Sequence, residues 1–250
     1  MPYRFLSKAD LLLHKLPPLI PSLIPSSCAL CGVEDDNLLC TPCEQRFFTH
    51  HPPRCRQCGI TVSAADATLP CATCLQEQPD FDATIVATDY VAPADHLILA
   101  LKFGHRLAIA PLLARLLHDA MLHQTLPSLP DILIPVPLSP QRLAERGFNQ
   151  ALEIARPLSR ATGIPLGIRL LERTRDTAMQ AQLPLKERHR NMRHAFVPTA
   201  EGVLAVNGRH VAIIDDVFTS GSTLSAIAEV LKRHGATRVT NLIVARTPAQ

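Results

Sequence analysis

Residues 211–223 read Val-Ala-Ile-Ile-Asp-Asp-Val-Phe-Thr-Ser-Gly-Ser-Thr, and this stretch decides the fold. The apolar run Val211–Ile214 is what a strand buried on both faces requires. Asp215 and Asp216 stand where that strand should run out, so the strand is expected over 210–215. A hydroxyl-rich turn follows, Thr219-Ser220-Gly221-Ser222-Thr223, and then Leu224, Ile227, Ala228 and Leu231 fall on one helical face. Strand, acidic pair, small-residue turn and helix together make a seat for a sugar phosphate. The free N–H groups and positive dipole end of the helix face a phosphate, and the hydroxyls add donors. Gly221 lets the backbone come close. The two carboxylates can accept hydrogen bonds from the vicinal hydroxyls of a ribose. Open α/β sheets hold ligands at this carboxyl end of their strands.

Competing readings of the stretch fail on spacing. A Walker-type phosphate loop needs Gly-x-x-x-x-Gly-Lys before a Ser or Thr, and the chain has no such run. A calcium loop needs carboxylates at alternate positions, where Thr and Ser stand here. A helix cap by Ser220 or Ser222 accounts for the hydroxyls but not for two adjacent acids ahead of them.

Working outward, the 250 residues are enough for one core plus a small module, and 47% apolar with 19% charged is ordinary globular composition. The net charge of +3 is unevenly spread. Residues 28–89 hold nine Asp/Glu against three Arg, whereas residues 142–194 hold eleven Lys/Arg against five Asp/Glu. A polyanion would find a partner in the second stretch, not the first.

All eight cysteines fall in four Cys-x-x-Cys pairs: Cys28/Cys31, Cys40/Cys43, Cys55/Cys58 and Cys71/Cys74. Two tetrahedral four-cysteine zinc sites account for this directly. The simplest assignment is Cys28, Cys31, Cys40 and Cys43 for one ion and the remaining four for the other, with an interleaved arrangement also open. Complete thiolate ligation leaves no open coordination position, so the two Zn²⁺ ions are expected to be structural. A disulfide scaffold is disfavoured because nothing else suggests secretion.

Residues 5–24 are rich in Leu and Ile, but Asp10, His14 and Lys15 interrupt the run and Pro17, Pro18 and Pro21 break it. Leu6 to Leu16 is read as a short amphipathic helix. No membrane span is expected, and a cytoplasmic location is. The chain divides into an N-terminal segment (1–25), a double zinc ribbon (26–78) and a sugar-phosphate domain (80–250). In that last part, strands are expected at Ala83–Val91, Asp131–Pro135, His210–Asp215 and Arg238–Val244. Helices are expected at Asp95–Phe103, Leu107–His123 and Gln150–Thr162. Alternation of this kind implies an α/β fold with a mainly parallel sheet and flanking helices. Residues from Leu170 onward, rich in Arg, Gln and His, are read as a hood over the site.

The 211–223 pattern resembles the phosphoribosyl-pyrophosphate (PRPP) loop of type I phosphoribosyltransferases. A second block, Ile134-Pro-Val-Pro-Leu-Ser139 with Arg142 and then Arg146-Gly147-Phe148-Asn149-Gln150, narrows the resemblance. Together with Leu101-Lys102-Phe103, Thr177-x-x-Gln180, Glu187-Arg188 and Asn191, it is similar to the ComF family of competence and DNA-utilisation proteins. The likeness runs over essentially the whole chain, cysteines included. Ser220 stands where the common pattern has a second Thr, and a hydroxyl is kept.

The resemblance implies a type I phosphoribosyltransferase-like fold that binds PRPP with Mg²⁺. Asp215 and Asp216 would hold the ribose hydroxyls and act in catalysis, and Thr219, Ser220, Gly221, Ser222 and Thr223 the 5′-phosphate. Val136, Pro137, Leu138, Ser139, Arg142 and Arg146 would hold the pyrophosphate, the arginines by bidentate contacts. Mg²⁺ would bridge pyrophosphate and ribose oxygens. Departure of pyrophosphate would leave an oxocarbenium-like ribose, so catalysis would be mainly electrostatic stabilisation and positioning.

Gly147, Phe148, Asn149 and Gln150 are candidates for an acceptor loop. Phe148 is open to two readings, a stacking surface for a base or a buried anchor. Asn149 and Gln150 are open to ligand binding or helix capping, and Lys102 could reach a phosphate but reads best as a surface lysine. Three functions remain: handling of imported single-stranded DNA with other DNA-uptake proteins, active phosphoribosyl transfer to an amine or base, or PRPP sensing without turnover. With two Tyr, eight Phe and no Trp, an extended stacking platform for single strands is not obvious.

Overall fold

The computed structural model describes residues 26–67, 69–124, 128–174 and 195–248. The expected helix Leu6–Leu16 lies outside them, as does nearly all of the basic hood sequence (175–194). The cysteine-rich part contributes β1 (Ser26–Ser27), β2 (Glu34–Asp35), α1 (Thr41–Phe47) and α2 (Ala72–Glu77). Next come β3 (Ala83–Asp89), α3 (Ala94–Lys102), α4 (Ile109–His123), β4 (Ile132–Pro135), α5 (Pro140–Arg146) and α6 (Gln150–Thr162). The order closes with β5 (Leu171–Arg173), β6 (Phe196–Pro198), α7 (Ala200–Val206), β7 (His210–Phe218), α8 (Ser222–Arg233) and β8 (Arg238–Arg246).

Four strands form one sheet in the order β3-β8-β7-β4, every pair parallel. Ile134 pairs with Ile213, Ile213 with Asn241, and Ile85 with Leu242. Alternate side chains of a strand face opposite ways, and here both ways lead into apolar packing. Ala212 and Ile214 of β7, with Leu242 and Val244 of β8, meet Leu97 of α3, Leu113 and Leu117 of α4 and Ile154 of α6. Val211 and Ile213, with Val239 and Ile243, meet Leu224, Ile227 and Leu231 of α8 on the other face. That double burial is why these strands read as continuous apolar runs rather than alternating ones.

Each face also carries one half of the cysteine-rich segment. Cys28, Leu39, Cys40, Cys43 and Phe48 pack into the layer of α3, α4 and α6. Cys55, Cys58 and Cys74 pack with Phe81 and Phe218 into the layer of α8. Polar ties reinforce the second half: Thr84 N–H donates to Arg56 O at 2.9 Å, and Arg54 pairs with Asp89 at 2.7 Å. Most of these boundaries lie within two residues of expectation, but β7 does not stop at Asp215. It stays hydrogen-bonded to β8 as far as Phe218, opposite Arg246, so both acids sit within the strand's last turn of pairing. β5 and β6 pair antiparallel and bring Arg173 opposite Phe196 at the two borders of the hood sequence.

Candidate phosphate and metal sites

β7 delivers the acids and the hydroxyl turn to the carboxyl end of the sheet. Gly221 takes a left-handed φ of +81° and a Cβ there would meet the Phe218 ring at 2.7 Å, so the turn is built around glycine. It opens α8 without any side-chain cap. Ser220 Oγ and Ser222 Oγ lie 3.0 Å apart, and Ser222 N–H reaches Ser220 Oγ only at 3.5 Å. First-turn N–H groups in this state are an anion seat. Asp215, Thr219, Ser220, Gly221 and Thr223 line a hollow of about 50 Å³ in front of it.

The two acids differ in surroundings. Asp216 is buried, and Lys102 Nζ stands 2.8 Å from its Oδ2. The angles fall outside those of a hydrogen bond, which leaves this oxygen held by charge alone. Asp215 is half-buried at the surface of the turn. Burial first, and the Asp216 carboxylate second, push its carboxyl up to about 8. Lys102 gives the pair a counter-charge. That lysine was read from sequence as a surface residue; it is instead drawn in from the end of α3 to the acid pair.

The second block borders the same end of the sheet. Val136 N–H donates to Ile214 O at 2.9 Å, so the Val136-Pro137-Leu138 exit runs beside the acids. Val136 and Ser139 are buried, and Ser139 Oγ accepts Arg142 N–H at 3.4 Å as the cap of α5. Arg142 and Arg146 are half-buried. Gly147 ends α5 in a left-handed turn. Asn149 caps α6, its Oδ1 accepting from Ala151 and Leu152, and its Nδ2 donates to Val136 O at 3.0 Å. Buried Gln150 takes the Arg146 guanidinium on its Oε1. The Arg-Gly-Phe-Asn-Gln block thus ties the exit of β4 to the start of α6.

The cysteines gather as two groups, Cys28/Cys31/Cys40/Cys43 and Cys55/Cys58/Cys71/Cys74, with all sulfurs of a group within 4.8 Å of one another. Cys31–Cys40 and Cys58–Cys71 sulfurs are 3.7 and 3.6 Å apart, and Cys55–Cys74 4.0 Å. Zn–S bonds of about 2.3 Å in a tetrahedron put sulfurs about 3.8 Å apart. Both groups therefore fit a zinc ion, in the sequential pairing. Equivalent bonds recur in each half: Cys28 N–H to Val33 O and Cys55 N–H to Ile60 O, both at 2.8 Å.

One residue that sequence reading passed over joins the candidate metal and phosphate sites. Arg246, at the end of β8, donates from Nε to Cys58 O at 3.2 Å. Its Nη1 lies 3.1 Å from Phe218 O and 2.6 Å from Thr219 O, and its guanidinium stands 4.3 Å over the Phe218 ring. Ser225 of α8 adds a bond to Asp80 Oδ2 at 2.9 Å.

A parallel sheet flanked by helices and preceded by paired four-cysteine ribbons defines a phosphoribosyltransferase-like protein with an N-terminal double zinc ribbon. Comparison with known families agrees. Residues 19–75 match the double zinc ribbon domain, and residues 144–250 the phosphoribosyl transferase domain. DNA utilization protein YhgH of Escherichia coli K12 is 39% identical over 212 residues, 84% of this chain and 90% of the relative. The YhgH protein of Salmonella typhimurium is 36% identical over 230 residues, 90% of this chain and 98% of the relative. Competence protein F of Haemophilus influenzae is 34% identical over 81% of this chain and 88% of its own length. Among solved structures, the PRPP amidotransferase of B. subtilis aligns with a TM-score of 0.36 at 21% identity, over 54% of this chain and 25% of that one. The chain belongs to the ComF family of competence and DNA-utilisation proteins. Among the described residues, no helix is long and apolar enough to cross a membrane.

Proposed function

We propose that this protein binds PRPP, with Mg²⁺ as the ligand's counter-ion, and acts in the uptake or processing of single-stranded DNA. The observation that carries the ligand is the uncapped first turn of α8, set directly behind the Asp215/Asp216 pair at the carboxyl end of a parallel sheet. In this reading the 5′-phosphate takes the N–H groups and hydroxyls of Thr219–Thr223. The ribose hydroxyls bond to Asp215 and Asp216. Two adjacent carboxyl groups offer acceptor oxygens side by side, so together they suit a diol. Lys102, 2.8 Å from Asp216 Oδ2, fixes that carboxyl in place. Arg142, Arg146 and the backbone after Val136 take the pyrophosphate, which brings the negative charge that the two guanidinium groups need.

The DNA role is supported by the relatives named for DNA utilisation and competence, which align over most of their length. A cytoplasmic location follows from that role as part of the same proposal. Calorimetric titration of the zinc-loaded protein with PRPP and Mg²⁺ tests the ligand, beside an Asp215→Asn/Asp216→Asn variant. Saturable binding by the parent and none by the variant, with the fold of the variant retained, is expected. Equal affinity in both would overturn the ribose assignment.

A further inference from the structure

At the amino end of the sheet, opposite the acid pair, lies a second cavity of about 620 Å³, within the size range of small-molecule sites. Its floor is Asp82–Val86 of the β3 edge. Its walls are the segment His51–Arg56, the end of α4, and Arg238, the first residue of β8. Among the described residues, no carboxylate pairs with Arg56 or Arg238. The Nε of Arg238 is buried without a hydrogen-bond partner, a donor left over for a ligand. The acid of the lining is already spent. Lys232 Nζ stands 2.8 Å from Asp82 Oδ1, and Asp82 Oδ2 accepts Val239 N–H at 2.7 Å. Arg54, also in the wall, is held by Asp89.

At the other end of the cavity His51 and His123 stack, ring centroids 4.4 Å apart at 33°. Two imidazoles this close resist being charged together. Partial loss of hydration, then His123, Arg54 and His50, lower the proton affinity of His51, while Asp119 of α4 raises it. α4 ends at His123, where the helix dipole favours a cation. An anion beside the rings supplies the counter-charge they lack. The strand gives the spacing. Asp82 N–H bonds Val239 O beside Arg238, Thr84 N–H bonds Arg56 O, and Val86 O accepts from Gln124 Nε2 beside His123. At about 3.3 Å per residue, the cationic groups enter at steps of about 7 Å along β3. One phosphate meets one of them; a ligand with two or more meets the row. The bonds at Thr84 and Val86 also close this edge to an added peptide strand.

We infer that His51, Arg56, His123 and Arg238 form a binding site for a small ligand carrying two or more phosphate groups, separate from the proposed PRPP seat. The cavity lies at the amino end of β8 and the phosphate turn at its carboxyl end, so the two ligands do not compete. No contact in the argument depends on the PRPP reading.

The test is NMR of the histidine rings in the zinc-loaded protein, with the His51 and His123 signals assigned through His51→Asn and His123→Asn. The protein is titrated without Mg²⁺ with fructose 1,6-bisphosphate, with inorganic tripolyphosphate, with neutral fructose and with a short oligothymidylate. Saturable movement of both ring signals is expected with the bisphosphate or tripolyphosphate and none with fructose. The bound anion should also raise the pH at which His51 titrates. Arg56→Ser, at an exposed side chain, and Arg238→Met should each weaken binding about tenfold, the loss of one charge-assisted contact, with PRPP affinity unchanged. Added PRPP–Mg²⁺ should leave the ring shifts in place. Still signals with both anions would overturn the site, as would shifts that both arginine variants keep or that PRPP displaces. Movement with oligothymidylate alone would overturn the small-ligand assignment and give the surface to a nucleic-acid strand. Ring shifts in a protein that binds no PRPP would leave this site standing and remove the PRPP reading instead.

Discussion

Replacing Arg246 with Met tests how far the second ribbon supports the phosphate turn. The side chain reaches Cys58 O through Nε, and its Nη1 lies within 3.1 Å of Phe218 O, Thr219 O, Thr247 O and Thr247 Oγ1. Two protons on Nη1 serve at most two of those four oxygens well, so three bonds is the working count. A hydrogen bond to a charged group nets about 1.5–3 kcal/mol, but these three share one half-buried cation and are not additive. We therefore take about 3 kcal/mol for the set, to which the contact with Phe218 adds about 0.5–1 kcal/mol. Met keeps the packing of the aliphatic stem. For a chain of this size the loss corresponds to a melting point lower by about 10 °C. Scanning calorimetry of the zinc-loaded variant measures this, with zinc content checked at the same time. PRPP affinity should fall about tenfold, because Thr219 and Phe218 lose their anchor. Arg246→Lys should recover only part of either loss, since an ammonium cannot span the ribbon and the turn in one plane. A variant that keeps both zinc ions and melts within about 2 °C of the parent would refute the reasoning. The carbonyls would then be finding water without cost.

Three further outcomes follow from the same geometry. Gly221→Ala forces a methyl toward the Phe218 ring and holds a left-handed φ at a cost of about 1 kcal/mol; calorimetric affinity for PRPP should drop at least tenfold, and unchanged affinity would show that the turn does not need its tight form. Asp215 releases its proton at about 4 when unfolded and at about 8 when folded, so between those values the folded state binds the extra proton. Stability therefore falls as pH rises through that window and levels off above it. Urea midpoints from pH 5 to 8 should show the fall in the parent and a flatter curve in Asp215→Asn, and parallel curves would remove the shift. Cys55→Ser, at a fully buried cysteine of the second group, should lower zinc from two ions to one per chain by atomic absorption; two retained ions would show that Cys55 is not needed as a ligand.

The sheet, the turn and the helix behind it were legible because each rests on neighbours in sequence. Apolar runs mark β4, β7 and β8, and the same local pattern places Gly221 and the hydroxyls. The paired cysteines were legible for a related reason, since knuckle spacing is itself the signal. What escaped reading depends on contacts between distant segments. Lys102 looks like any lysine at a helix end until α3 is laid over β7, half the chain away. Arg246 is a lone charge at the end of an apolar strand, and nothing beside it in sequence points to Cys58 or Thr219. The strand containing the acids ran on to Phe218 because β8 continues beside it, which the composition of β7 alone does not state. α5 and α7, seven residues each, are too short to leave a periodic trace.

The strand order carries a consequence for how the molecule is made. Among the described residues β3 pairs in the sheet with β8 alone, and β8 is the last of the four strands to be synthesised. A ribosome therefore releases the ribbons, β3, α3 and α4 long before the strand that joins them to β7 exists. Until then β3 presents an unsatisfied edge, the kind of surface on which nascent chains aggregate. Assembly of the sheet must wait for Arg238–Arg246, and the same insertion brings Arg246 to the ribbon and the phosphate turn. Completion of the scaffold and completion of the proposed ligand site are one event in the life of the chain.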